Sequence, residues 1–215
     1  MNKAILFDLD GTLLDTLADL ADSMNSVLRA LGHPPHPTDD YRYFIGDGLT
    51  NLVRRALPER NRNADEVAAA EQRMRRQYAV HWADSTRPYP GIPELLAELK
   101  QRRLPLAVFS NKPHDATQRC VRRFFEDGLF DPVLGAREGV PRKPDPTVPL
   151  EIAEQLRVPR AEFLYLGDTG TDMTTACAAG MFPVGVLWGF RTEQELRENG
   201  AQTVIGQPDG LLKLL

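Results

Sequence analysis

From residue 92 to the C-terminus, short apolar runs of strand length alternate with segments whose apolar residues recur at helical spacing. Strands that alternate with helices of about 10 to 15 residues are typical of a parallel sheet with helices on both faces. This alternation constrains the fold more than any other feature. It predicts the α/β class, with a Rossmann-like, doubly wound parallel sheet as the core. The strands predicted in this part cover residues 104–109, 131–136, 163–166 and 182–188.

The N-terminal part of the chain has a different pattern. Residues 3–8, KAILFD, predict one short buried strand, whereas residues 17–84 show helical spacing and no convincing strand. Three helices are predicted there, over residues 17–31, 47–57 and 67–82. We therefore expect an all-helical subdomain of residues 16–88, inserted into an α/β core formed by residues 1–15 and 89–215.

Composition argues against several classes of protein, although the 26 lysines and arginines leave a local basic patch possible. The chain has 215 residues, a formal net charge of −4 and two cysteines, Cys120 and Cys177. A nucleic-acid or membrane-surface binder needs a basic face, which this charge balance does not favour. The apolar stretch before Asp8 is too short for a secretory signal, and no apolar run approaches the roughly 18 residues of a membrane span. We expect a cytoplasmic protein with reduced cysteines and with neither nucleic-acid nor membrane partners. Monomer and homodimer both remain open.

Polar side chains follow the ends of successive predicted strands. Asp8 and Asp10 follow the first strand, and a hydroxyl, an amide and an ammonium follow the strand at 104–109. A lysine lies in the loop RKPDP after the next strand, and two aspartates follow the strand at 163–166. Since ligands of such folds bind beyond the carboxyl ends of the strands, we expect all these side chains to share one crevice. The later members of the set are Ser110, Asn111, Lys112, Lys143, Asp168 and Asp172.

The four aspartates of this set predict a bound cation. Asp8 and Asp10 are two residues apart, which on a strand places both side chains on the same side. Four carboxylates in one crevice repel one another unless a cation is present. An all-oxygen set suits Mg²⁺ that also bridges to a substrate phosphate. Ser110 and Asn111 can donate to phosphate oxygens, and Lys143 adds a compact positive charge.

Other interpretations of the carboxylates explain less of the set. A calcium loop has its glycine at the sixth position, whereas DLDGTLLD has it at the fourth. A glycosidase pair of carboxylates leaves the Ser-Asn pair, the lysine and the second acidic pair without a role. The chain contains no GxxxxGK[ST] motif, which excludes a P-loop nucleotide site.

Four segments occur in a fixed order over residues 8–172: DLDGTLLDT, the Ser110–Asn111 pair, Lys143–Pro144 and GDTGTD. Together they resemble the four motifs of the haloacid dehalogenase superfamily of phosphohydrolases. The helical insert, with YFIGDGLTNLVRRAL, resembles the cap of the subfamily that includes phosphoglycolate phosphatase. The segments PYPGIPELLAELK and SNKP resemble the same subfamily.

The resemblance implies a role for each of these residues. Asp8 would be the nucleophile that forms an aspartyl-phosphate. Asp10 would protonate the leaving alkoxide and then take a proton from the hydrolytic water. Mg²⁺ would be held by the side chains of Asp8 and Asp168 and by the backbone carbonyl of Asp10. Asp172 would be a further ligand, or would contact a ligand without binding the metal itself. The side chains that would hold the phosphoryl oxygens are Ser110, Asn111 and Lys143, and Lys143 is counted with Asp8 and Asp10 as catalytic.

A cap that closes over the site would exclude water and test the leaving group. Hinges are expected near residues 14–16 and 89–91. The loop at 42–49 is predicted to face the substrate through Arg42, Gly46, Asp47 and Gly48.

The implied activity is Mg²⁺-dependent hydrolysis of a small phosphorylated metabolite, with 2-phosphoglycolate as the expected substrate. Pyrophosphatases, phosphosugar phosphatases and β-phosphoglucomutase have similar motifs and stay open as alternatives. The segment VLWGFRTEQEL differs from that of many phosphoglycolate phosphatases. An alternative of another class is a non-catalytic protein that binds a phosphorylated ligand. Loss of Asp8 or Asp10 would mark such a protein, and both are present.

Overall fold

The computed structural model describes residues 4–215, which form two compact units. The core unit consists of the described part of Met1–Leu14 together with Pro88–Leu215, and the helical unit is Asp15–Arg87. The predicted first strand includes Lys3, which lies outside the described residues.

Six strands of the described chain form one sheet, and each neighbouring pair in it is parallel. In chain order the strands are β1 (Ala4–Phe7), β2 (Leu14–Asp15), β3 (Arg87–Pro88), β4 (Leu106–Pro113), β5 (Val133–Ala136), β6 (Phe163–Gly167), β7 (Phe182–Val186) and β8 (Thr203–Ile205). The sheet has the order β5-β4-β1-β6-β7-β8, while β2 and β3 pair separately.

Nine α-helices occur within residues 4–215. They are α1 (Leu17–Ala30), α2 (Tyr41–Phe44), α3 (Leu49–Ala56), α4 (Ala64–His81), α5 (Ile92–Gln101), α6 (His114–Phe124), α7 (Thr147–Leu156), α8 (Gly170–Ala179) and α9 (Glu193–Glu198). Short 3₁₀ turns cover Thr38–Asp40, Glu59–Asn61, Arg160–Glu162 and Pro208–Leu214. None of the helices in this described part combines the length and the apolar character needed to cross a bilayer.

The sheet with its flanking helices confirms the predicted α/β, Rossmann-like fold. The order of strands reverses at β1, which has β4 on one side and β6 on the other. In doubly wound sheets the ligand crevice opens at such a switch point, outside the carboxyl ends of the strands. Beneath it, Leu6, Phe109 and Tyr165 belong to a buried cluster with Ile152 of α7 and Ala176 of α8.

Strand β4 runs four residues beyond its predicted end at Phe109. Its register with β5 shifts between the Phe109–Leu134 pair and the Pro113–Ala136 pair. Three of the four added residues, 110–112, are polar, yet all three are buried. Apolar periodicity could not find this extension, because its burial depends on hydrogen bonds and charge pairs instead of apolar contacts.

In the helical unit, α1 and α3 pack against α4. The sequence predicted three of its four helices and missed α2, since four residues are too few to display a helical period. Tyr41 of α2 is fully buried, and its hydroxyl donates to Asn25 Oδ1 at 2.8 Å. The predicted helix over 47–57 begins only at Leu49, because Gly48 before it adopts a φ of 87°.

Candidate active site

Three carboxylates converge at the ends of β1 and β6. Asp8 follows β1, Asp168 follows β6, and Asp172 lies in the first turn of α8. Each offers one oxygen, and the three oxygens lie within 4.8 Å of one another. All three residues are buried, with Asp168 fully so.

The Lys143 ammonium bridges two of these carboxylates. It donates to Asp8 Oδ1 at 2.7 Å and to Asp172 Oδ1 at 2.8 Å. It also lies 5.0 Å from the ring centroid of Phe109 and 5.6 Å from that of Tyr165, within the range of cation–π attraction. These contacts hold one buried positive charge against two of the three clustered carboxylates.

Burial and like charges set the protonation states. Burial raises the pKa of Asp8 well above its ordinary 3.8. The Lys143 charge lowers this pKa, whereas the charges of Asp172 and Asp168 raise it further. Burial, followed by the charge of Asp172, raises the pKa of Asp168 to about 7. Burial by itself lowers the pKa of Lys143, but Asp172 and Asp8 outweigh that effect and raise the pKa well above 10.5. The ammonium therefore stays charged, while Asp8 and Asp168 resist ionisation.

This charge balance fits a divalent cation. The three clustered carboxylates and the one ammonium that pairs with Asp8 and Asp172 leave two uncompensated negative charges when all are ionised, which a low-dielectric site cannot hold without a counter-ion. A donor set made only of oxygens suits Mg²⁺. The residues present therefore fit the predicted metal.

Asp10 does not join the three clustered carboxylates. The premise that Asp8 and Asp10 lie on one strand is wrong, because β1 ends at Phe7 and a tight turn follows through Gly11, with a φ of 90°. The Asp10 carboxylate pairs with the Lys112 ammonium, whose Nζ donates to Asp10 Oδ1 at 2.9 Å. The sequence showed Lys112 at a strand end but gave it no role.

Ser110 and Asn111 lie at the end of β4, as predicted, and both are buried. The Asn111 amide contacts the backbone of Lys143: its Oδ1 accepts from Lys143 N at 3.0 Å, and its Nδ2 donates to Lys143 O at 3.4 Å. Ser110 Oγ accepts from Lys112 N at 3.2 Å. The structure thus gives Asn111 a contact with the lysine loop that the sequence did not predict.

Sequence reasoning also missed the groups that orient Asp168. Thr12 Oγ1 donates to Asp168 Oδ1 at 3.1 Å, and the Phe190 backbone N–H donates to Asp168 Oδ2 at 2.9 Å. The Trp188 indole in turn donates to the carbonyl of Thr12 at 2.9 Å. In the sequence, the WGF segment differs from that of many phosphoglycolate phosphatases, but its proximity to Asp168 is a tertiary contact without a local sequence signal.

Asp172 does have a local signal. Thr169 and Asp172 form a capping box at the start of α8, in which Asp172 Oδ2 accepts from Thr169 N at 3.1 Å and Asp172 N donates to Thr169 Oγ1 at 3.3 Å. The spacing T-x-x-D is a form of this N-terminal signature. It fixes the position of Asp172 beside Lys143.

The predicted substrate-facing residues belong to the helical unit. Gly46 and Gly48 have φ values of 123° and 87°, conformations that favour glycine. The Asp47 carboxylate pairs with the Arg55 guanidinium, which also donates to a carbonyl at Phe44. Arg42 contacts a carboxylate three residues before it at 3.4 Å. Contact of these residues with a substrate stays a prediction.

Comparisons with known proteins agree with this geometry. A family profile described as haloacid dehalogenase-like hydrolase matches residues 5–186. The phosphoglycolate phosphatase of Psychrobacter arcticus is 33% identical over 205 residues, covering 92% of this chain and 89% of that protein. The phosphoglycolate phosphatase of Aquifex aeolicus is 31% identical over 213 residues, covering 99% and 96%. A crystal structure from Lactobacillus delbrueckii subsp. bulgaricus, provisionally assigned as a phosphoglycolate phosphatase, matches with a TM-score of 0.93 and 34% identity, covering 99% and 98% of the two chains.

Proposed function

Because this chain belongs to the haloacid dehalogenase-like hydrolase family, we propose that it is a Mg²⁺-dependent phosphomonoesterase that reacts through an aspartyl-phosphate on Asp8. The comparisons confirm the predicted superfamily and the phosphatase class. The metal, the intermediate and the substrate are the proposal. The observation that carries it is the buried cluster of Asp8, Asp168 and Asp172, in which the Lys143 ammonium pairs with Asp8 and Asp172.

In the first step, a carboxylate oxygen of Asp8 attacks the substrate phosphorus. The bond between phosphorus and the leaving oxygen breaks, and Asp10 gives that oxygen a proton. Asp10 suits this role because its carboxylate is separate from the three clustered ones.

In the second step, water attacks the same phosphorus and Asp10 takes the proton of that water. The bond between phosphorus and Asp8 breaks, inorganic phosphate leaves, and the Asp8 carboxylate is restored. Asp10 thereby returns to its protonated form for the next substrate.

The phosphoryl oxygens are held by the Lys143 ammonium and the Ser110 hydroxyl, with Asn111 near them, as charge redistributes in the transition state. Bound Mg²⁺, held by Asp8, the Asp10 carbonyl and Asp168 with Asp172 beside it, would neutralise excess negative charge and polarise the phosphoryl group.

The substrate proposed is 2-phosphoglycolate, since relatives at 31–33% identity carry the name phosphoglycolate phosphatase. The helical unit is proposed as the cap, with hinges near residues 14–16 and 89–91 and the loop 42–49 contacting the leaving group. Pyrophosphate and sugar phosphates remain alternative substrates, and phosphotransfer remains an alternative reaction. The cytoplasmic location and the oligomeric state stay predictions.

The test is phosphate release from a panel that contains 2-phosphoglycolate, hexose phosphates and pyrophosphate, with Mg²⁺ or with EDTA. We expect Mg²⁺-dependent release that Asp8→Asn abolishes, with the highest kcat/KM for 2-phosphoglycolate. A higher kcat/KM for pyrophosphate or a hexose phosphate would reassign the substrate alone. No release from any compound by the folded protein with Mg²⁺ would contradict the hydrolase proposal and favour the transferase or the binding protein.

A further inference from the structure

Lys112 is a buried charge for which the steps proposed above have no direct use. Its side chain is 6% exposed, and the Asp10 side chain that it contacts is 14% exposed. In contrast, Lys100 and Glu126 form an ion pair whose side chains are 56% and 62% exposed. Exposed pairs cost little to form, whereas a buried ammonium must be desolvated, so such a pair is weak evidence for stability. Its position next to Asp10 points to a role in the reaction.

The backbone of Lys112 is held from two sides. Its N–H donates to Ser110 Oγ at 3.2 Å, and its carbonyl accepts from Thr117 Oγ1 at 3.2 Å. Gly135 of β5 permits this packing, because a Cβ there would lie 2.4 Å from Thr117 Oγ1 and 2.6 Å from the Lys112 carbonyl oxygen. The lysine therefore projects from a fixed point, and its ammonium reaches Asp10 from the extension of β4.

We propose that Lys112 is a positioning residue that fixes the Asp10 carboxylate for proton transfer; this inference rests on the function proposed above. A misplacement of about 1 Å at a reacting group can cost roughly 100-fold in rate. Removing the ammonium frees the Asp10 side chain to rotate while leaving Asp8, Lys143 and Ser110 in place. The phosphate is then still bound, but the proton is not transferred efficiently.

A substrate whose leaving group needs no proton distinguishes the effect of Lys112 on the first step from its effect on the second step. When p-nitrophenyl phosphate is the substrate, the nitrophenolate ion departs without needing a proton, and the phosphoryl group stays on Asp8. The first step therefore does not depend on the orientation of Asp10. The second step does, because the attacking water must lose its proton. A variant without the ammonium should therefore release one equivalent of nitrophenolate quickly and then turn over slowly.

The experiment compares Lys112→Met, of similar length without charge, with Lys112→Arg, which keeps a charged donor, and with the exposed control Lys100→Met. With p-nitrophenyl phosphate we expect Lys112→Met to lower kcat by roughly 10- to 100-fold and to lower KM with it, so that kcat/KM stays nearly unchanged, and to show the burst. Lys112→Arg should recover part of the rate, and Lys100→Met should match the wild type. In the Asp10→Asn background, Lys112→Met should add no further loss, because the lysine acts through that carboxylate.

A Lys112→Met enzyme with wild-type kcat, or with a raised KM and unchanged kcat, would overturn the inference, as would a full additional loss in the Asp10→Asn background. If Lys112→Met does not fold, Lys112→Gln, which keeps a neutral donor, is judged by the same outcomes. If Asp8→Asn abolishes hydrolysis but Lys112→Met has wild-type activity, only the inference about Lys112 is contradicted, and the proposed function stands. A wild type without Mg²⁺-dependent hydrolysis defeats both, because Lys112 would then have no reaction to serve.

Discussion

The side-chain amide of Asn111 and the backbone of Lys143 exchange two hydrogen bonds, at 3.0 and 3.4 Å. The two residues are 32 positions apart, and both are buried. The amide of β4 thereby fixes the loop from which the ammonium reaches Asp8 and Asp172. Asn111 thus supports the charge at the centre of the site through the lysine backbone.

Replacing Asn111 with Ala should therefore weaken catalysis through Lys143. Two hydrogen bonds of about 1 kcal/mol each correspond to a loss of roughly 10- to 30-fold in kcat/KM. The measurement is steady-state kinetics on the best substrate of the panel. Gln118→Ala, which removes an exposed amide bond to Arg122, is the matched control. Equal activities of the two variants would show that the Asn111 contact does not matter to the reaction.

The raised pKa of Asp168 predicts how stability depends on pH without metal. Its pKa rises from 3.8 when unfolded to about 7 in the fold, so folding favours the protonated form. The corresponding stability is fully present below pH 3.8 and is lost as the pH rises through about 7. The Tm in EDTA should therefore fall over this window.

Because Mg²⁺ binds the ionised carboxylates, it should raise the Tm more at about pH 8 than at about pH 5. Thermal unfolding with Mg²⁺ and with EDTA measures both effects. Asp168→Asn should reduce the pH dependence in EDTA. An unchanged pH dependence in that variant would show that another group is responsible.

The packing of Gly189 against Asp168 predicts a loss of metal affinity on Gly189→Ala. A Cβ at Gly189 would lie 2.3 Å from Asp168 Cβ and 2.4 Å from the carbonyl oxygen of Gly11, so the packing between this segment and Asp168 must change. Groups that orient metal ligands typically contribute 10- to 100-fold in affinity, and a weakening of roughly that size is expected by calorimetric titration with Mg²⁺. Gly206→Ala is the control, because a Cβ there meets nothing within 4 Å. A Gly189→Ala protein that binds Mg²⁺ as the control does would show that the segment does not position Asp168.

Several residues of the site could be predicted from the sequence because each follows an apolar strand directly. Asp8 after β1, Ser110 after the apolar part of β4 and Asp168 after β6 are such cases, and the parallel sheet brings them to one edge. The α/β class followed from the same alternation of strands and helices. The local apolar pattern is sufficient to predict a site residue where its place at the end of a strand determines its place in the fold.

The residues that the sequence did not place depend on tertiary contacts. The pairing of Asp10 with Lys112 joins positions 102 apart, and it follows from a turn that ends the strand earlier than the apolar pattern indicates. Phe190 donates to Asp168 through its backbone, so its side chain carries no signal. The short helix Tyr41–Phe44 is stabilised by a buried hydroxyl contact instead of an apolar period.

The central claim is that the phosphoryl group is transferred to Asp8. Borohydride reduces an aspartyl-phosphate to homoserine, which peptide mass spectrometry locates in the chain. During turnover of the best substrate with Mg²⁺, we expect homoserine at position 8, and none there in the absence of substrate or in Asp8→Asn. Continued hydrolysis with Asp8 unreduced, or with reduction at a different carboxylate, would contradict the mechanism.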